Sequence, residues 1–205
     1  MDVRGRTLVF KRQPLLDVVA EVLVADPSAS LAQVAEAAGI GRTTLHKHYA
    51  TRDELIRAVG QHAIDLWERA VAAVREKSLD DPDGGLRALV DAMVPIGPQL
   101  AFLWRTPAFD HMHELGQSWK AAEESGLEVL RRARAAGLIA ADVPEFWLLQ
   151  TLYSLIYVAA ESVRSGHLAP RFATDLVLRT LLQGIGAPAE GHHHEPIRSG
   201  LRLRR

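Results

Sequence analysis

Apolar residues recur along this chain at three- and four-residue spacings broken by Pro and Gly, and no segment alternates with period two over a convincing length. The pattern predicts an all-α protein. Leu15, Val18, Val19 and Val22 mark a first helix over 14–24, with Pro14 at its N1 position. Leu31, Val34, Ala35 and Ala38 mark a second, short helix. Ser30 and Gln33 before it have the S-x-x-Q spacing of a capping box, and Gly39 follows it where a left-handed residue is easiest without Cβ. Ile40 is expected to plug the turn into the core, and a third helix runs from 41 or 42 to about 49. Thr51 and Glu54 make a second capping box, T-x-x-E, and open a long helix to about 77 through Leu55, Ile56, Val59, Ala63, Leu66, Ala70 and Val74. SLDDPDGG at 78–85 breaks the pattern. Beyond it the spacing predicts helices over 86–94, 98–105, 118–136, 144–164 and 171–183, with Pro144 at an N1 position and Pro95, Gly97, Pro107, Gly137 and Gly166 as punctuation.

The third helix carries the first candidate chemistry. If Leu45 points inward, Tyr49 lies one turn further along the same face, and Thr43 and Lys47 point the opposite way. Thr44 and His46 flank that outward face, Arg42 sits in the first turn, and nothing there is acidic. A short helix offering Arg, Thr, Thr, His and Lys, braced across a Gly-containing turn, suits insertion into the major groove of DNA. The same spacing also describes an ordinary helical hairpin with a solvated polar face, and alone it leaves both readings open.

The longer run AGIGRTTLHKHYATRDELIRAV resembles the DNA-binding region of the tetracycline-repressor (TetR) family of bacterial regulators. That family shows a small-residue turn, a Thr-Leu-aromatic-x-His-aromatic run, a loop, a basic residue and a helix start. Here these are Thr44-Leu45-His46-Lys47-His48-Tyr49, then Ala50, Thr51 and Arg52. With the first helix, the resemblance covers about the first quarter of the chain. It implies a homodimer on a near-palindromic double-stranded DNA operator, with Arg42, His48, Tyr49 and Arg52 positioning the helix on the backbone. One departure is His46, where the family usually has Tyr. The resemblance further implies a DNA-binding domain over 1–56 with a basic arm, an effector-binding and dimerisation domain over 57–188, and a polar, basic tail over 189–205.

Charge adds little, since 24 Lys plus Arg face 25 Asp plus Glu and any DNA affinity must come from local placement. Arg4, Arg6, Lys11 and Arg12 form a basic arm opposed only by Asp2, either a solvated terminus or a secondary DNA contact. The absence of cysteine excludes disulfides and thiolate chemistry. No apolar run approaches the ~20 residues of a membrane span and no signal-peptide core is seen, so a cytoplasmic protein with no membrane partner is expected.

The segment PEFWLLQTLYSLIYVAAESV is apolar on nearly every face, which requires cover on both sides. A twofold-related subunit would supply it, through Trp147, Leu155 and Val158 with Leu178 and Leu182 of the last helix; the competing reading puts both helices at the centre of a monomer. Asp175 and Arg179 make the last helix's polar pair at i, i+4. The family's dimerisation helices fall here.

Between these regions Phe102, Trp104, Phe109, His111, Met112, His113 and Trp119 crowd one segment, and Tyr153 and Tyr157 stand one turn apart later. Taken alone such rings are as well read as plain core. The resemblance implies instead an apolar pocket for a small hydrophobic effector, with His111 or His113 to orient it. His111 and His113 diverge on a helix, and only Asp110 with His113 or Glu114 share a face, so no metal site is expected and no cofactor. The run His192–His194 lies in the polar tail. No G-x-S-x-G, G-x-x-x-x-G-K or H-E-x-x-H occurs, which argues against an enzyme. The leading reading is a ligand-responsive transcription regulator, a repressor by analogy with the family. The rival is an all-α small-molecule-binding protein or enzyme whose N-terminal hairpin is merely structural.

Overall fold

The computed structural model describes residues 12–106 and 111–185, and among them every extended regular element is a helix. Ten α-helices follow one another: α1 (Arg12–Ala25), α2 (Leu31–Ala37), α3 (Arg42–His48), α4 (Arg52–Arg75), α5 (Lys77–Asp80), α6 (Pro82–Met93), α7 (Gly97–Arg105), α8 (His113–Ala135), α9 (Glu145–Arg164) and α10 (Pro170–Ile185). Their packing makes two compact units. One gathers the described residues up to Arg69 with Ile96–Glu124, the other Ala70–Pro95 with the described residues from Ser125 onward. Helices α4 and α8 each supply residues to both.

In the first unit α1 packs on α7 and α2, and α2 on α3. Val19, Ala20, Val34, Leu45, Val59 and Phe102 are fully buried there. Local chemistry explains the short elements. Ser30 Oγ accepts from Gln33 N while Gln33 Oε1 accepts from Ser30 N, so the first capping box forms as expected. Gly39, at φ 65°, closes the helix, its N–H on Glu36 O and that of Ile40 on Ala35 O. Ile40 itself is only half-buried. The second box is displaced by one residue: Thr51 Oγ1 caps Glu54 N at 3.1 Å, but the Glu54 carboxylate reaches back to Ala50 N at 2.8 Å. Along α4 the sequence expects Leu66 and Ala70 inside, yet both are half-exposed, and Ile64, Trp67 and Val71 are buried. A 24-residue helix that serves two units rotates its buried face along its length.

The second unit corrects the reading of 78–85 as a break. Asp81 caps α6, accepting from Gly84 N at 2.8 Å, Pro82 stands in the first turn, and both glycines are helical. Gly85 is there for proximity: a Cβ on it would lie 2.4 Å from Ser78 Cβ and 2.6 Å from Ser78 Cα, so α5 and α6 touch backbone to backbone. Gly85→Ala is therefore expected to destabilise by about 1–2 kcal/mol, overpacking outweighing the helix propensity gained. Thermal unfolding checks this, and an unchanged or raised midpoint would contradict it. Val94–Ile96 forms a 3-10 turn leading into α7, so Pro95 does not break the helical run.

Helix α10 packs on α9 and α6. Asp175 pairs with Arg87 of α6 at 2.5 Å, where the sequence reading pairs it with Arg179, and Thr174 Oγ1 donates to Asp91 at 2.7 Å. The Arg131 guanidinium forks onto both oxygens of Glu145 at 2.8 and 3.0 Å and holds that carboxyl below the usual carboxylate range. This corner contributes in neutral solution and loses its contribution as pH falls through the depressed value. By length and composition alone Pro82–Arg105 and Glu145–Arg164 are apolar enough to cross a membrane, a test that the core helix of a globular protein also passes. The first is mostly buried inside the protein.

Candidate nucleic-acid interface

Helix α3 is seven residues long and has one buried side chain, Leu45, which is 0% exposed. That single anchor fixes the rotation of the helix. Arg42, Thr43, Thr44, His46, Lys47 and His48 are consequently all exposed, with no acid in the helix and the three basic side chains His46, Lys47 and His48 in its last turn. The Lys47 cation there suits the negative end of the helix dipole, whereas Arg42 in the first turn is disfavoured until an anion arrives. Tyr49 caps the C-terminus, donates its backbone N–H to Leu45 O and is half-buried beside the His48 ring. The face is a compact set of phosphate and base-edge donors.

Arg52 has partners within the protein. Its guanidinium donates to Ala29 O and Pro27 O, at the loop leading into α2, and so clamps α4 to that loop. Asp26 in the same loop accepts from the Ser28 hydroxyl and N–H, which lower its pKa. Arg52→Ala is expected to cost about 1–2 kcal/mol, since charge-assisted hydrogen bonds are lost at a half-exposed site. Calorimetry combined with a DNA titration checks it. A variant of unchanged stability that binds all DNA more weakly would return Arg52 to a backbone-contact role.

The ring cluster divides between the units. Phe102 and Met112 are buried and Trp104 and Trp119 half-buried in the first, while Tyr153 is buried and Tyr157 half-buried in the second. Phe109 lies outside the described residues, as do Asp110, the basic arm up to residue 11 and the tail with His192–His194. His111 and His113 are both exposed, which corrects the expectation that one faces inward. Helix α8 begins at His113, so the first lies outside it, and His113 Nε2 pairs with Gln117 Nε2 at 2.8 Å. Trp67, which the periodicity passed over, is the centre of this region. Its Nε1 donates to Ala122 O at 2.8 Å and its ring meets Trp119 edge to face at 5.7 Å.

On the second unit Trp147 and Val158 are 61% and 58% exposed on one face of α9, with Leu155 half-buried beside them. Leu178 is 6% exposed and belongs to the protomer's own core, which corrects its assignment to the outer face; Leu182 is half-buried. The outward apolar residues of α10 are Phe172 and Leu176, and Phe146 adds to the patch on α9. Spacing puts 172 and 176 a turn apart on the face opposite Leu178, and the packing of the helix chooses which of the two faces is outward.

A part-buried polar group, in which the Asp17 side chain is 42% exposed, was not legible at all. His62 Nε2 of α4 and Gln99 Nε2 of α7 lie 2.8 and 2.9 Å from the same oxygen, Oδ1 of Asp17 on α1. A carboxylate only accepts, so both nitrogens donate.

No family model matches the chain. The transcriptional repressor LfrR of Mycolicibacterium smegmatis is 30% identical over 175 residues, covering 85% of this chain and 89% of the repressor. The transcriptional regulator NfxB of Pseudomonas aeruginosa is 25% identical over 185 residues, 89% of this chain and 98% of its own. The crystal structure of LfrR from Mycobacterium smegmatis in complex with proflavine, described as TetR-like, superposes with a TM-score of 0.67 at 29% identity over 85% of this chain and 95% of that one. These relatives are regulators and not enzymes. Agreement of sequence and structure over nearly the full length of both proteins, helix-turn-helix included, is more than a shared helical architecture requires: the chain belongs to the TetR family of transcriptional regulators.

Proposed function

We propose that this protein is a ligand-responsive repressor that binds a near-palindromic operator as a homodimer through α3 and is released by a small hydrophobic molecule. The observation that carries the DNA reading is α3 itself, whose only buried side chain is Leu45 and whose remaining residues are all basic or hydroxyl-bearing. In this reading Thr43, Thr44 and Lys47 read base edges and Arg42, His46, His48 and Tyr49 hold phosphates, within a DNA-binding segment of 1–56. The effector and dimerisation functions belong to 57–188, and the protein works in the cytoplasm without a cofactor.

The effector class is supported by two things: the side chains Phe102, Trp104, Met112 and Trp119 gathered in the first unit, and the solved complex of LfrR with proflavine, a planar aromatic molecule. Release would travel along α4, one continuous helix from Arg52 to Arg75.

The test is selection from a randomised duplex pool, followed by titration of planar aromatic compounds while tryptophan fluorescence and affinity for the selected duplex are read together. The selection should enrich an inverted repeat with half-site centres a helical turn or a small multiple apart. A ligand that changes the fluorescence should weaken the duplex by about 5–150-fold, and the duplex should weaken that ligand by the same factor. Failure to enrich any duplex would leave a small-molecule-binding protein with a structural hairpin.

A further inference from the structure

Asp17, His62 and Gln99 sit on three different helices of the first unit, and the DNA-contact reading uses none of them. The Asp17 side chain keeps 42% of its surface in water, but its two partners do not, and two features make those partners unusual for a core. Gln99 is only 5% exposed and His62 8%, so both amide and imidazole have left water for partners that must be correctly aimed. Gln99 is also half-satisfied: its Nε2 donates to Asp17, while its buried Oε1 has no hydrogen-bond partner among the described residues. An apolar side chain of the same size would avoid that penalty, so packing alone does not explain a glutamine here.

Ridge-into-groove packing sets how two helices meet, and hydrogen bonds, which weaken steeply once misaligned, sharpen that register further. Helix α1 packs extensively along α7, and the two bonds converging on Asp17 Oδ1 fix its register against α7 and α4 at once. From α1 the contact passes to α2 and from α2 to α3.

We propose that Asp17 is a positioning residue for operator binding, held by Gln99 and His62 so that α1 keeps the register in which α3 is presented to DNA, and that Gln99 is the releasable member. Gln99 lies one turn before Phe102 on α7, so a shift of that helix caused by a molecule among the rings acts first on the Gln99–Asp17 bond. The unpartnered Oε1 makes the bond the weak point of the group, because any displacement that gives this oxygen a partner competes with it. The inference rests on the DNA-binding reading above.

The experiment compares full-length wild type with Gln99→Met, which keeps the length but not the bond, Asp17→Ala, and Asp17→Asn, which keeps an acceptor oxygen. Affinity for the selected duplex is measured per folded dimer, with unfolding midpoint and amide exchange in α1 and α4. Gln99→Met and Asp17→Ala should weaken the duplex about fivefold or more, with Asp17→Asn within about twofold of wild type. Exchange should accelerate in α1 and not in the interior of α4. The proposal is overturned if Gln99→Met binds like wild type, or if its loss only follows the unfolding midpoint with α1 and α4 exchanging faster together. Should Gln99→Met not fold, Gln99→Asn, too short to reach Asp17, gives the same comparison. A wild type that selects no duplex would defeat the DNA-binding reading first, and this inference with it.

Discussion

Val158→Asp is expected to give a folded monomer whose affinity for the operator falls about a hundredfold or more, the loss that follows when two linked binding events become one. Val158 is 58% exposed on the protomer, so an aspartate there stays in water and the fold of a single chain tolerates it. At a twofold interface the same carboxylate would be stripped of water without a partner, which costs about 3–5 kcal/mol and is met twice by symmetry. Trp147 and Phe146 on α9 with Phe172 and Leu176 on α10 give the surrounding apolar surface that such an interface would cover. Leu178→Asp makes the contrast. That side chain lies in the protomer's core, so its charge should unfold the chain instead of splitting a dimer. Sedimentation at micromolar concentration with far-ultraviolet dichroism separates the two outcomes. A wild type that sediments as a monomer, or a Val158→Asp protein that remains a dimer, would remove this face from the interface.

The second large effect is expected from Thr43→Ala/Lys47→Ala. Both side chains are exposed on α3, opposite Leu45, so the double variant should unfold within about 0.5 kcal/mol of wild type. Each good base-edge contact is worth about 1–3 kcal/mol of discrimination, and losing two should reduce the preference for the selected over a scrambled duplex by about thirtyfold at the low end and about ten-thousandfold at the high end. Removing Lys47 should also flatten the salt dependence by roughly one unit of slope if it reaches a phosphate as well. Competition titrations at two salt concentrations read both quantities. Full affinity and selectivity in the double variant would mean that α3 does not dock with this face.

How much of this was legible from the residues follows the range of the interactions involved. The capping box of Ser30 and Gln33 and the left-handed Gly39 are settled within one or two turns of chain, and they stand as read. The same locality made α3 legible, because one inward Leu45 fixes the direction of every neighbour. The exposed residues of α3 were therefore legible from sequence, while the partners of Arg52 were not. Its guanidinium reaches carbonyls at Pro27 and Ala29, a contact that no spacing rule contains. The glycines at 84–85 misled in the opposite direction. Composition reads them as a loop, while their use is close approach of α6 to Ser78.

Sequence by itself determined the helical class, the hairpin, the polar face of α3 and the excess of apolar surface on the last two helices, since each is a property of periodicity and of groups a few residues apart. Tertiary structure decided which side of the last helix looks outward, burying Leu178 and exposing Phe172 and Leu176. A helix apolar on every face carries no internal mark of direction; its neighbours choose. The meeting of Asp17 with His62 and Gln99, 45 and 82 residues away, was decided there too. Hydrogen bonds of that kind need distances within a few tenths of an ångström between side chains on separate helices, and only the packing of the helices between them sets those distances.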